Sequence, residues 1–547
     1  MLIPHQWQKL LANYPDPEFT KRIIGIATHG ARIGYEGPPL QLQADNHTSA
    51  LQIPEELSQN IAEELHLGRI RPLQKLELPS SHACSPLGAV PKKQNGEITG
   101  WRRIHDLSFP NGNSVNDGIP EHYRSLTYQT LDDAIHIIER LGRHTTLHKR
   151  DLKDAFRKIP VSPLDYFLLL FKWNNQTYID MFLPFGMATS PFIFNMFAEA
   201  LHWILNHIHN IEVVHYLDDF LLFNCLNNSD VFSTVCSTVG FEEKTSKSLN
   251  GYVVDFTGIE LDTDKLEARL PKDKHDRAIK AVSQALFNGK TSHKSLESLL
   301  GYLSFCARVV PLGRPFLRNL FDFLSLLSLT PNPHASRPFP KLATLDLRWW
   351  LTLLQEWNGI RMIQPCRPAY YIYTDASGTK GIGGWFGHLA FSAELPQRHK
   401  KKHINWKEAY AILYALAKWA HLVKGCKIIV MCDNESIVEA LNKHTIRGEA
   451  IHILQLIYLT AALYDIKLSA NWLSSQENWI ADALSRFNLS KLANSKLNEV
   501  FQISSREPDE PIRLLRRKLA TFFKTDLPNL QDPPTTLPGQ NSKNIPS

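Results

Sequence analysis

The chain has 547 residues, 43% hydrophobic and 21% charged, with a formal net charge of +6. This is the composition of a globular protein of two to four domains, and its longest apolar runs, 167–171 and 323–329, are far shorter than the ~20 residues a membrane helix needs. Seven cysteines without a Cys-x-x-Cys pair indicate neither a zinc site nor a disulfide framework, and the start shows no basic-then-apolar segment of a signal peptide, so an intracellular site (cytoplasm or nucleus, not secreted) and no membrane contact are expected.

Residues 1–50 carry few signals and read as an N-terminal extension. Pro54 opens a helix with Leu57, Ile61 and Leu65 on one stripe and Gly68 as its stop. A polar, Gly-containing stretch covers 86–113. Thr130 caps a helix with Asp132 and Asp133 in its first turn, ending near Gly142. A strand over 145–152 follows and carries Asp151. Leu183-Pro184-Phe185-Gly186 is a turn, and Thr189-Ser190-Pro191 opens a long apolar helix to about Ile208.

Tyr216-Leu217-Asp218-Asp219, flanked by apolar and β-branched runs, predicts a β-hairpin with an Asp-Asp turn. A helix over 229–239 and strands around 251–261 come next. Residues 266–360 read as helical, broken at Pro331-Asn332-Pro333. A new domain starts near Cys366, with strands at 370–374, 381–386 and 389–392, a helix over 406–420, a strand at 427–431, a helix at 436–442 and a strand at 467–473. Ser474-x-x-Glu477 is a capping box that predicts a final helix through Arg486. The Pro-, Asn- and Thr-rich end beyond 525 reads as disordered.

Two carboxylate sets stand out. Asp151, Asp218 and Asp219 converge if their strands share a sheet. Asp375, Glu408, Asp433 and Asp482 sit at strand ends and on helices of the C-terminal domain. Converging carboxylates need a cation to stay ionised together, and two Mg²⁺ per set suit in-line phosphoryl transfer. Solvated surface aspartates are the plain alternative.

These residues resemble the reverse transcriptases of retrotransposons and retroviruses. Arg150-Asp151-Leu152-x-x-Ala155-Phe156, Leu183-Pro184-Phe185-Gly186-Met187-Ala188-Thr189-Ser190-Pro191 and Tyr216-Leu217-Asp218-Asp219 are similar to palm motifs. Phe256-Thr257-Gly258 is similar to the primer-grip hairpin, and Val90-Pro91-Lys92-Lys93 with 101–107 to the fingers. Tyr373-Thr374-Asp375, Trp406-Lys407-Glu408, Cys432-Asp433-Asn434 and Asn478-x-x-Ala481-Asp482 resemble ribonuclease H, without the His often found before its last helix. The 398–403 basic cluster either grips hybrid backbone or is a solvated face.

The resemblance implies an α+β right-hand polymerase with an α/β ribonuclease H-like domain and its mixed sheet: extension 1–50, fingers and palm 51–265, thumb and connection helices 266–360, ribonuclease H 366–490, and a largely disordered tail 491–547. It implies RNA-directed DNA synthesis with hydrolysis of RNA in hybrids. The expected catalytic and metal residues are Asp151, Asp218, Asp219, Asp375, Glu408, Asp433 and Asp482, with Mg²⁺ or Mn²⁺. Lys92 and Arg102 would hold the triphosphate, Phe156 would gate the sugar, and Phe185 and Gly186 would contact substrate. Partners would be RNA template, DNA primer, RNA–DNA hybrid and deoxynucleoside triphosphates. The 103–117 and 307–317 segments look most like DIRS-like elements, whose recombinase would be encoded separately. A relic scaffold that binds nucleic acid without catalysis is the competing reading.

Overall fold

The structure, a computed structural model, describes all residues except 75–77, 95–96, 225–229, 311, 331, 364–366, 495–500, 505–508 and 524–547. The expected helix start at Ser229, the break at Pro331, the domain start at Cys366 and the tail beyond 525 lie outside the described residues. The chain divides into two compact units, Met1–Thr257 with Leu261–Lys265, and Gly258–Glu260 with Leu266–Ser547. No helix among the described residues is long and apolar enough to cross a membrane.

In the first unit a four-stranded antiparallel sheet runs in the order Leu249–Gly251, Leu147–Asp151, Asp219–Phe223, Val213–Tyr216. The Ser190–Trp203 helix adds the largest apolar contribution to this core: Phe194, Phe197, Ala200 and Leu201 are fully buried. Helix Leu131–Leu141 starts as its sequence dictates, with the Thr130–Asp133 capping box satisfying two orphan donors. The two-strand turn is Leu217-Asp218 rather than Asp218-Asp219, because Asp219 already pairs with Tyr216.

Three stretches differ from the sequence expectation. The 86–113 segment contains a long antiparallel hairpin, Leu87–Gln94 with Glu97–His105; its polar residues sit on strands whose two faces are not equally wet, a pattern that composition hides. Residues 1–50 hold helices Pro4–Leu10 and Pro17–His29. Trp7 there is fully buried against Phe197 and Phe241, with centroids 5.4 and 6.3 Å away. Near the other end, residues assigned to a largely disordered tail form strand Gln502–Ser504 and helix Asp509–Phe523. Ile512, Leu515, Leu519 and Phe523 make the apolar stripe that holds this helix down.

The second unit carries helices Lys272–Asn288, His293–Cys306, Arg318–Leu327 and Lys341–Trp357. Short strands Glu267–Arg269 and Ile360–Met362 pair at the borders of what reads as a purely helical stretch. A six-stranded mixed sheet follows, in the order Lys467–Trp472, Lys427–Cys432, Ala369–Ala376, Gly381–Phe386, Leu389–Glu394, Gln502–Ser504. Helices Ile404–Trp419 and Ala450–Leu463 are buried nearly all round. Ser474 and Glu477 do exchange capping-box hydrogen bonds, yet they close a turn. The helix itself starts at Trp479 with Asn478 as N-cap, because Asn478 is buried and donates to the Thr374 carbonyl.

Candidate active sites

In the first unit Asp151 and Asp219 are direct partners across adjacent antiparallel strands. Asp218 occupies the turn beside them. Leu217, before it, has a left-handed φ of +53°, a conformation that costs a branched residue about 1 kcal/mol or more and persists because paired strands hold both ends. The Asp218 carbonyl accepts from Leu152 N at 3.2 Å, tying the turn to the end of the Asp151 strand. Asp151 is 3% exposed, and its Oδ2 accepts from Lys247 Nζ at 2.7 Å. Lys149 Nζ lies 4.0 Å from Asp219 Oδ1. Burial, then the neighbouring Asp151, pushes the Asp218 carboxyl up; burial, and to a lesser extent Asp218 and Asp151 against Lys149, pushes Asp219 up to about 6.

A cavity of about 830 Å³ brings Lys92, Arg102, Asp151, Phe156, Phe185 and Asp218 together, and adds Lys247. Lys247 is a residue the sequence reading missed; it lies in no motif and is one of two lysines, with Lys244, just before strand Leu249–Gly251. Arg102 lies over the Phe185 ring at 5.3 Å, and Phe156 touches Phe185 and Phe194 with centroids 5.5 and 5.4 Å away. Gly186 does not line the cavity. Its φ is +114°, and a Cβ there would lie 2.0 Å from the His105 carbonyl oxygen. Only glycine lets this turn seat against strand Glu97–His105, where His105 N donates to Phe185 O at 2.9 Å.

In the second unit Asp375, Glu408 and Asp433 each offer a ligand oxygen within 4.8 Å of the others; among the described residues this is the one such group. Strand Ala369–Ala376 places Asp375, helix Ile404–Trp419 places Glu408, and Asp433 follows strand Lys427–Cys432. Asp375 Oδ2 is buried and has no hydrogen-bond partner among the described residues. Burial, then Asp433 and Asp482, pushes Asp375 up to about 6, and burial with Asp375 and Asp433 raises Glu408 well above the usual carboxylate range. An all-carboxylate donor set with an orphaned buried oxygen fits a hard divalent cation.

Asp482 stays outside that group, its Oδ1 accepting from Arg486 Nε. Helix Trp479–Ser485 can approach closely because Gly383 has no side chain; a Cβ there would lie 2.4 Å from Ser485 N. In the loop whose sequence lacks a His, Ser475 Oγ donates to Asp433 Oδ2 at 2.6 Å, and Trp472 Nε1 donates to the Asp433 carbonyl at 3.1 Å. The basic cluster is partly neutralised: Lys400 pairs with Glu394 and Lys402 with Glu449.

Residues 91–261 match the family model described as reverse transcriptase (RNA-dependent DNA polymerase), and residues 367–457 match the RNase H-like domain found in reverse transcriptase. The chain is similar to the Retrovirus-related Pol polyproteins from transposons 297 and opus of Drosophila melanogaster. It is 22% identical to the first over 86% of this chain and 42% of the relative, and 24% identical to the second over 79% and 42%. It therefore spans less than half the length of these curated relatives. A foamy viral protease-reverse transcriptase solved in complex with dsDNA is 18% identical, with a TM-score of 0.48 over 87% of this chain and 98% of that one. On the two family matches, the chain carries a reverse transcriptase domain followed by a ribonuclease H-like domain.

Proposed function

We propose that the chain is an RNA-directed DNA polymerase with a separate ribonuclease H centre, serving retrotransposon replication. The observation that supports this best is the cross-strand pairing of Asp151 with Asp219, with Asp218 at the turn and with Lys92, Arg102 and Phe156 lining one cavity together with Asp151 and Asp218. Asp151, Asp218 and Asp219 would hold two Mg²⁺, and Asp375, Glu408, Asp433 and Asp482 two more, with Mn²⁺ as the alternative. Divalent ions held by these carboxylates would supply the positive charge that phosphoryl transfer needs.

The chain's own residues supply position and selectivity. Lys92 and Arg102 bind the triphosphate of the incoming deoxynucleotide. Phe185 supports the Arg102 guanidinium from below, and Gly186 keeps that platform against the fingers hairpin. Phe156 fills the space a ribose 2′-hydroxyl would need, rejecting it by clash. Lys247 holds Asp151 in place through its 2.7 Å bond. In the second centre Ser475 and Trp472 fix Asp433 from two sides. The substrates are an RNA template, a DNA primer, deoxynucleoside triphosphates and the RNA–DNA hybrid. We assign the element to the DIRS-like group on segments 103–117 and 307–317, a group whose recombinase would be a further, separately encoded partner. A binding-only relic gains nothing from seven carboxylates near phosphate.

Purified protein should extend a DNA primer on an RNA template with Mg²⁺ and cut the RNA of a hybrid, both stopping with chelator. Template binding with neither reaction would overturn the proposal in favour of the scaffold.

A further inference from the structure

We propose that a buried ion network of Glu64, Arg69, Arg103, Arg157 and Asp180 sets the shape of the nucleotide pocket, with Arg157 as its central positioning residue. This rests on the polymerase reading above.

Two pairs of sequence neighbours are divided between pocket and network. On strand Glu97–His105, Arg102 is exposed while the Arg103 side chain is 8% exposed. On the turn that leaves the Asp151 strand, Phe156 is half-buried while the Arg157 side chain is 5% exposed. The inner member of each pair also lines the cavity.

Arg157 ties helix Pro54–His66 and strand Gln176–Asp180 to that turn. Its Nε donates to Glu64 Oε2 at 2.9 Å, and its Nη1 donates to Asp180 Oδ1 at 2.6 Å and to the Phe182 carbonyl at 2.9 Å. Glu64 in turn accepts from Arg69 Nη1 at 3.2 Å, and Arg69 Nη2 donates to Asp154 Oδ2 at 2.9 Å. The turn that bears Phe156 is thus held at Asp154 and at Arg157 through the same glutamate. Arg103 stacks on Phe171 at 4.9 Å, 3.7 Å from Asp180 Oδ2, and its Nη1 has no hydrogen-bond partner among the described residues.

Stability alone is a poor account of such a network. Taking charges out of water costs several kcal/mol per ion, and apolar replacements of similar volume are often as stable. What guanidinium forks supply is direction: bidentate, planar contacts that fix one geometry. Here the fixed objects are Phe156 and Arg102, the two side chains closest in sequence to the network that would touch the nucleotide. A misplacement of 1 Å at such a site can cost up to about a hundredfold in catalytic efficiency.

The test uses the full chain with Arg157→Lys, which keeps the charge and loses the fork. Thermal melting, KM and kcat for a deoxynucleotide, and the ratio of deoxy- to ribonucleotide incorporation efficiency are measured against the parent. The network predicts a KM raised about tenfold and a sugar-selection ratio lowered to a similar degree, with kcat changed less. A lowered kcat with KM and ratio unmoved means loss of folded protein only and overturns the proposal. Should Arg157→Lys fail to fold, Glu64→Gln carries the same readouts; failure of both to fold makes the network a stability element and also overturns it. A parent that extends no primer would instead overturn the polymerase reading.

Discussion

Asp151 and Asp219 face each other as a non-hydrogen-bonded cross-strand pair on antiparallel strands, although they lie 68 positions apart in the chain. Register fixes this meeting: a slip of one residue would turn either carboxylate to the opposite face of the sheet. The pairing concentrates negative charge where Lys247 and Lys149 only partly offset it.

Asp218→Asn removes a charge from that cluster. Primer extension should fall at least about a hundredfold, while binding of primer–template should persist because basic residues supply that affinity. Extension at near parental rate would show that Asp218 holds no cation.

Asp375→Asn should abolish hybrid cleavage and leave DNA synthesis intact, since the two carboxylate sets lie in different units. In metal-free protein the same change should raise the melting temperature, because it relieves repulsion with Glu408 and Asp433. Joint loss of both activities would mean misfolding or one shared centre.

Phe156→Val tests sugar selection. Phe156 packs against Phe185 and Phe194 yet lines the cavity. Under the gate reading ribonucleotide incorporation rises while deoxynucleotide incorporation persists; under a core role both fall together. The ratio of efficiencies, mutant against parent, separates the two, and an unmoved ratio removes the gate.

Trp7→Ala should destabilise the first unit by about 3–5 kcal/mol, the range for emptying a buried aromatic site, because Trp7 is 0% exposed in the core around Phe197. Urea unfolding with unchanged slope would measure it. A change under about 1 kcal/mol would show the N-terminal helices to be dispensable to that core.

Asp346 gives a pH signature. It is fully buried, accepting from Asn319 N at 3.2 Å and Nδ2 at 3.0 Å and from Gln455 Nε2 at 3.1 Å. Burial pushes its carboxyl up to about 8, against those hydrogen bonds. Between its ordinary range near 4 and about 8 the folded chain holds a proton that the unfolded chain has released. Stability from this group is therefore fully present below pH 4 and falls as pH rises through that window. Asp346→Asn should flatten the decline in melting temperature between pH 5 and 8.5, two pH values set about either side of the working range; a parental slope in the variant would refute it.

The sequence alone determined the elements whose cause is local. The Thr130–Asp133 cap, the apolar stripe from Pro54 and the strand runs on both sides of Leu217-Asp218 are short-range patterns, and helix and hairpin formed where they lie. It also singled out the carboxylates as candidates, because two sets in motif order are legible without coordinates. Only the tertiary structure decided which of them meet. Asp375, Glu408 and Asp433 converge while Asp482 turns to Arg486, a choice made by side-chain packing between a strand, two loops and two helices. The same holds for Lys247 on Asp151, for Ser475 on Asp433 and for the Arg157 network, whose partners lie 96, 42 and 93 positions apart. The helix over Asp509–Phe523 and the burial of Trp7 were hidden for a related reason: a short amphipathic segment earns its structure from the surface it covers, and that surface is built by residues far away in the chain.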